Sequence, residues 1–321
     1  MPIMQKVCFY EYGGAEVLQV EEIKNKKLNR GDIRIKVEAI GVNPVDTYFR
    51  EGTYKVPRFP WTPGSDFAGV IEEIESEHSD LKVGDRVFGT GLGRDIEGTY
   101  SDSIVAPREN LATLPDSIEF KQGAAIALVG VTAWRALIDH ANLIPGEKCL
   151  IHGGGGGVGH VAIQIAKQIG AEVTTTARSE QHTELKKLGA KYIFDYNEKN
   201  LLGLISNTGG KDVILDHLCD EYVGLDIQVA NPNARIIGIG QRKDQVRIPK
   251  FAVARSKELE LYMMSMFNTP KISDILEQIS KMMSEDSLKV LVESEYPLEK
   301  ANEAQERVYD REGIGKVVII P

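Results

Sequence analysis

Along residues 32–40, Ile33, Ile35, Val37 and Ala39 occupy every second position, as a half-buried strand requires. Ahead of it, 3–9 and 17–23 read as two strands joined at Tyr12-Gly13-Gly14, a turn signal. Gly41 to Asp46 opens a loop, and Phe59 to Gly64 is a proline-rich turn. Further strands are expected over 68–74, 86–89, 98–105 and 112–114, with Val83-Gly84-Asp85 as a tight turn. Short strands at this regular spacing predict a β-rich, closed or nearly closed barrel-like sheet.

From Glu119 the period changes. Phe120, Ala124, Ala127, Leu128, Val131, Trp134, Leu137 and Ile138 recur at helical steps. Cys149 to His152 then form a short apolar run followed by Gly153–Gly157 and Gly159. Val158, Val161, Ala162, Ile165, Ala166 and Ile169 share one face of a helix that Gly170 closes, and a new strand begins at Glu172. The alternation continues with helices over 179–188, 201–206 and 222–229, and strands over 192–194, 213–215 and 234–239. That rhythm is a Rossmann-type doubly wound parallel sheet. Beyond it lie a strand over 258–267, an amphipathic helix over 272–283, strands over 290–295 and 316–320, and a helical stretch over 298–308. This closing part lacks the βαβ rhythm and is expected to return to the first domain. The expected division is therefore 1–123, 124–268 and 269–321, an α/β fold with the nucleotide-type domain inserted into a β-rich one.

At 321 residues the chain is too long for one typical core, and 42% apolar with 26% charged residues is ordinary for a soluble globular protein. A net charge of −9 argues against nucleic acid or an anionic membrane as partner, because phosphates are repelled on average. No apolar run is long enough for a membrane span, and the N-terminus lacks the pattern of an export signal. Cys8, Cys149 and Cys219 lie far apart, so structural disulfides are not expected and a cytoplasmic location is.

The glycine stretch carries the chemistry. Gly154, Gly156 and Gly159 satisfy G-x-G-x-x-G between a strand and a helix. The first allows a tight turn, the second lets a pyrophosphate approach the backbone, and the third lets helix pack on strand. The bare helix start at Gly157 and Val158 then faces the phosphates. A flexible glycine linker, or a turn that binds nothing, is the alternative. An NAD site would carry an acid about 20 residues further on. Here Thr174-Thr175-Thr176 runs into Ala177-Arg178-Ser179 with no carboxylate before Glu180, so Arg178 is expected to grip a 2′-phosphate and the cofactor to be NADPH. The competing reading of Arg178 is a solvated surface arginine.

GVNPVDTYFREGTY (41–54), TPGSDFAGVI (62–71), VGDRVFG (83–89), GTYSDSIV (98–105), VTAWRAL (131–137), HGGGGGVG (152–159) and GKVVIIP (315–321) together resemble the zinc-free, zeta-crystallin-like quinone oxidoreductases of the medium-chain dehydrogenase/reductase superfamily. The likeness covers nearly the whole chain. It implies a GroES-like catalytic domain split around the nucleotide domain, a cleft between them, and a homodimer or homotetramer whose sheet continues across an interface near 258–267. Zinc-dependent relatives place ligands where this chain has Asn43, Ser65 and approximately Leu128, which are not a zinc set. No C-x2-C occurs either, so no metal is expected.

By the same resemblance Asn43, Tyr48 and Tyr54 line the substrate mouth, with Asn43 or Tyr48 donating a hydrogen bond to a carbonyl oxygen. Asn before Pro is also a common turn former, and a single Tyr more often packs than reacts. Thr132, Tyr196, Gly240 and Arg311 are expected near the cofactor. His217, Asp46 and His152 read as structural, and Arg242, Lys243 and Arg247 as a solvated loop. A protein lacking a Lewis acid suits acceptors that take hydride unaided, so the expected reaction is NADPH-dependent reduction of a quinone. Reduction of α,β-unsaturated carbonyls or enoyl thioesters, and a non-catalytic NADPH-binding structural or regulatory role, are the alternatives.

Overall fold

The structure is a computed structural model that describes residues 3–25, 27–75, 80–243, 245–310 and 313–321. Its internal contacts divide the chain into two units, Met1–Val131 with Thr269–Pro321, and Thr132–Asn268.

The first unit opens on an antiparallel hairpin, β1 (Ile3–Cys8) and β2 (Gln19–Lys24), with Val7 opposite Val20. There follow β3 (Asp32–Val42), α1 (Pro44–Glu51), β4 (Asp66–Ile74), β5 (Arg86–Gly89), β6 (Ser103–Pro107), β7 (Leu111–Thr113) and α2 (Phe120–Trp134). In the second unit a π-helical turn over Arg135–His140 leads to β8 (Lys148–Ile151), α3 (Gly157–Ile169), β9 (Glu172–Thr176), α4 (His182–Leu188) and β10 (Tyr192–Phe194). It continues with α5 (Leu201–Ser206), β11 (Lys211–Asp216), α6 (Cys219–Val229), β12 (Ala230–Gly238), α7 (Phe251–Ser256) and β13 (Glu260–Met263). The chain then supplies the first unit with α8 (Ile272–Ser284), β14 (Val292–Pro297), α9 (Ala301–Arg307) and β15 (Lys316–Ile320). The boundary expected between 123 and 124 falls inside α2.

The second unit's sheet runs β10-β9-β8-β11-β12-β13, with every pairing parallel. Helices on both faces force such strands to be apolar throughout, and Cys149, Leu150 and Ile151 of β8 are all fully buried. The first unit's sheet runs β14-β15-β3-β4-β5-β7, with β6 also on β3. Its core joins Ile33, Ile35 and Val37 to Phe67, Val87, Ile104, Val317 and Ile319. The α/β class and the Rossmann-type sheet are as the periodicity predicts.

Three local expectations fail, one being the strand expected over 258–267, which is only the four residues of β13 with a 3-10 turn over Met266–Asn268 behind it. The loop opening at GVNPVD is a helix from Pro44: the Asn43 amide bonds the Asp46 carboxylate (2.9 Å) in a capping box, Pro44 sits at the first turn, and Gly52 closes the helix in left-handed backbone at φ 80°. The strand expected over 98–105 begins only at Ser103. Gly98 N and Tyr100 N instead donate to Thr62 O (2.9 Å) and Pro63 O (3.1 Å), which holds that stretch off the ladder.

Candidate functional site

In the second unit, β8 ends in a turn that Gly153 enters at φ 69°. Gly154 N donates to Thr176 O (2.8 Å) and Gly153 N to Thr176 Oγ1 (3.1 Å), tying the turn to the end of β9. A Cβ on Gly159 would sit 2.2 Å from Gly153 O, so α3 can lie this close to the turn only with glycine there. A Cβ on Gly154 would meet Thr175 Oγ1 at 2.3 Å. Gly156 caps α3 with no side-chain hydrogen bond, which leaves the first-turn amides of Gly157 and Val158 without a side-chain acceptor.

At the far end of β9, Arg178 Nε donates to the Tyr196 hydroxyl (3.0 Å). Thr174, Thr175 and Thr176 lead into Ala177 with no acid at the strand end. Asp195, after β10, accepts from Ser179 N (3.1 Å), Ser179 Oγ (2.7 Å) and Asn197 N (2.9 Å). Bonds from Asn197 and Ser179 hold Asp195 below the usual carboxylate range. Thr132 is buried in α2, and Gly240 packs under the His217 carbonyl. Arg311 lies outside the described residues. Arg242 pairs with Glu221 (2.9 Å), and Arg247 is exposed, as expected of a solvated loop.

Behind the glycine turn lies a buried polar group that sequence reasoning missed. His152 Nε2 meets Asp226 Oδ1 at 2.8 Å, and its ring stacks on Tyr222 at 4.3 Å. Burial opposes charge on His152, but Asp226 and then Asp216 outweigh it and raise its pKa. Burial, followed by the Asp226 charge, pushes Asp216 up to about 7. His152, in the turn after β8, is thus held by a partner on α6. Asp226 offered no sequence signal, because it sits within an ordinary helical run.

In the first unit, Asn43 is held inside the fold. Its amide nitrogen donates to Asp66 Oδ2 (2.8 Å) and Gly41 O (3.5 Å), and its oxygen accepts from Lys316 Nζ. The amide nitrogen of Asn43 thus faces acceptors inside the fold, and its firm bond goes to Asp66. Lys316, fully buried, also donates to Val42 O (2.7 Å) and lies 3.6 Å from Asp66 Oδ2. Asp66 Oδ1 accepts the Leu128 amide (2.9 Å). Burial raises the Asp66 pKa while Lys316 and Asn43 pull it back. Asp46, on the buried side of α1, accepts from the Tyr100 hydroxyl (3.2 Å), and burial pushes it up to about 7. Lys316 escaped sequence analysis because a lysine in a strand reads as exposed.

Tyr48 and Tyr54 do come together, edge to face with centroids 5.9 Å apart, and Tyr54 N donates to Tyr48 O (3.1 Å). Tyr48 is half-buried, and burial followed by Tyr309 raises its pKa well beyond the usual tyrosine range. Of the positions where zinc ligands would stand, Ser65 donates to Leu92 O (2.9 Å) and Asn43 is engaged by Lys316. Among the described residues, no three His, Cys, Asp or Glu side chains gather as metal ligands.

Residues 29–116 match the family model of the alcohol dehydrogenase GroES-like domain, and 188–319 that of the zinc-binding dehydrogenases. The chain is 36% identical to the quinone oxidoreductase of Homo sapiens, over 99% of this chain and 98% of that protein. It is similar to a solved NAD-dependent alcohol dehydrogenase (28% identity, TM-score 0.91, 99% of each chain). It is also similar to the Escherichia coli quinone oxidoreductase solved with NADPH (26% identity, TM-score 0.90, 99% of this chain and 100% of that one).

Proposed function

We propose that this chain, which belongs to the quinone oxidoreductase family of the medium-chain dehydrogenase/reductase superfamily, reduces quinones with NADPH and without a metal. The observation that carries the cofactor choice is the end of β9, where Arg178 is anchored to Tyr196 and no acid stands at the strand end. An acid there would accept the ribose hydroxyls of NADH and repel a 2′-phosphate, whereas a guanidinium binds that phosphate through two hydrogen bonds.

The residues present fit the cofactor. The uncapped amides of Gly157 and Val158 suit a pyrophosphate, and a side chain on Gly154 or Gly159 would collide with the turn. Bound NADPH supplies hydride. Thr132 and Gly240 are proposed to lie beside its nicotinamide half, Tyr196 beside its adenosine half. The NADPH complex of the Escherichia coli relative supports this reading.

A catalytic metal does not fit the first unit. The Asn43 oxygen and the Asp66 carboxylate face the Lys316 ammonium, so the oxygens nearest the expected zinc place already serve a cation. The acceptor must therefore take hydride without Lewis-acid help, which quinones do readily. Tyr54 gives the acceptor an aromatic wall, and Tyr48, with Asn43 turned to Asp66, supplies the hydrogen bond. Self-association through the edge strand β13, with Tyr262 and Met263 exposed, suits a homodimer or homotetramer. Three buried unpaired cysteines suit the cytoplasm.

The test is NADPH and NADH oxidation against a panel of quinones and a panel of enones and enoyl thioesters. Turnover of quinones with NADPH preferred supports the reading. Turnover confined to the second panel moves the substrate to activated alkenes, and tight NADPH binding without turnover on either makes the protein a nucleotide-binding one.

A further inference from the structure

The first unit holds a cavity of about 450 Å³, within the size range of small-molecule sites. Lys6 of β1, Trp61, Thr62, and Ser103 and Ile104 of β6 are its buried lining, while Lys27, Pro57 and Ile96 are exposed at its rim. Lys6 is only 6% exposed. It stands opposite Glu21 across the β1–β2 hairpin and opposite Ser101 across an isolated antiparallel bridge. The Glu21 carboxylate, however, accepts the Tyr10 hydroxyl, and among the described residues no carboxylate pairs with the Lys6 ammonium. Ser101 donates to Gln5 O (2.8 Å), whereas the hydroxyl of Ser103, two residues on, is buried and has no hydrogen-bond partner among the described residues.

We propose that this cavity binds a small organic carboxylate, its charge held by the Lys6 ammonium and the Ser103 hydroxyl, and its apolar body by Trp61, Ile104, Pro57 and Ile96. The site goes beyond the reductase reading and does not depend on it.

The charges around the cavity select the ligand. Three carboxylates line it, and each is already engaged: Asp32 by Asn29 N (2.8 Å), Asp95 by Arg94 (3.1 Å) and Glu97 by Arg58 (2.9 Å). Arg34, also in the lining and buried, pairs with Glu73 (3.0 Å). The buried lining therefore offers one uncommitted positive charge and one neutral hydroxyl. A buried cation and a buried hydroxyl both gain from an acceptor, and a single carboxylate satisfies the two at once. A metal cation would be repelled, and a phosphate dianion asks for more positive charge than the buried lining supplies. The Trp61 Nε1 donates to Gly93 O (3.0 Å), so its polar edge is satisfied and the ring serves as an apolar wall. With a chain charge of −9, no long-range field gathers anions here, so recognition rests on these close contacts.

The experiment uses the full chain carrying Trp134→Phe, in which Trp61 is the one tryptophan left, with neither NADPH nor quinone present. Benzoate, benzamide and inorganic phosphate are titrated while tryptophan fluorescence is recorded. Benzoate should give a saturable change, with benzamide and phosphate at least about tenfold weaker. Lys6→Met should weaken benzoate by about 10- to 100-fold and leave benzamide unchanged, the signature of a lost charged hydrogen bond. Ser103→Ala, a smaller change in the same lining, should weaken benzoate about threefold or more. Benzoate should also raise the Tm of the parent but not that of Lys6→Met. No saturable change, equal binding of benzamide, or benzoate affinity retained in Lys6→Met or in Ser103→Ala overturns the carboxylate site. Tighter binding of phosphate than of benzoate overturns it as well, in favour of an inorganic anion. Each of these results leaves the reductase reading untouched, and an absence of quinone reduction leaves the carboxylate site untouched.

Discussion

The guanidinium of Arg178 and the hydroxyl of Tyr196, 18 positions apart, are joined by a 3.0 Å hydrogen bond across neighbouring strand ends. That bond fixes a flexible side chain before any ligand arrives, so less freedom is lost when a phosphate is gripped. Arg178→Ala should weaken NADPH binding by about 10- to 100-fold, the worth of one or two charged hydrogen bonds, and leave NADH nearly unchanged. Tyr196→Phe should lose less, roughly 1 kcal/mol. Fluorescence titration with both cofactors measures each value, and an equal loss for NADH would remove the 2′-phosphate role.

Gly155 in the turn and Gly159 in the first turn of α3 are four positions apart but should answer substitution differently. A Cβ at Gly155 meets only the tip of the Gln181 side chain, which can swing away, so Gly155→Ala should fold and bind cofactor as the parent does. A Cβ at Gly159 meets backbone at 2.2 Å and cannot be accommodated without moving α3. Gly159→Ala should destabilise by about 1–3 kcal/mol and abolish measurable NADPH binding. Urea unfolding beside cofactor titration separates the two.

Lys316 is buried beside an equally buried carboxylate. Lys316→Met strands the Asp66 charge and should cost about 3–5 kcal/mol. Pairing it with Asp66→Asn removes that charge, so the double variant should be more stable than the sum of the singles. Strict additivity in denaturant unfolding would show that the two do not interact.

Asp216 should make stability fall as pH rises. Its folded pKa stands near 7, above the ordinary carboxylate value of 3.8. Between about 4 and 7 the folded chain therefore holds a proton that the unfolded chain has released. The group's stabilising contribution is complete below that window and lost above it. Asp46, raised likewise, adds in the same sense. Asp216→Asn keeps the acceptor for Leu218 N (2.7 Å) and carries no charge. Its Tm should fall less steeply across the window, and exceed that of the parent above pH 7. A parallel pair of Tm curves would discount Asp216.

The second unit was legible because its signals are local and periodic: an apolar strand, a glycine turn and a helix with one oily face lie within thirty residues of sequence order. The helix α1 was equally signalled, by Asn43, Pro44, Asp46 and Gly52, but its eight residues are too few for an apolar period to assert itself. Its buried side includes Asp46, Thr47 and Arg50, which a hydropathy pattern counts as exposed. The polar partners were not legible at all. Asn43 meets Lys316 across 273 positions and His152 meets Asp226 across 74, and no residue pattern states such pairings. For that reason Asn43 read as a donor free for substrate, when its amide nitrogen faces acceptors inside the fold.

The strand β15 lies between β14 and β3, with β3 carrying β4 and β6 in turn. A ribosome releases residues 316–320 long after it has released 32–42, so that sheet must wait with a gap in its middle until those residues emerge. The nucleotide-type unit is a single continuous stretch, Thr132–Asn268. During translation it can therefore assemble first, and early access to its ligand would shelter a chain whose other half is still incomplete.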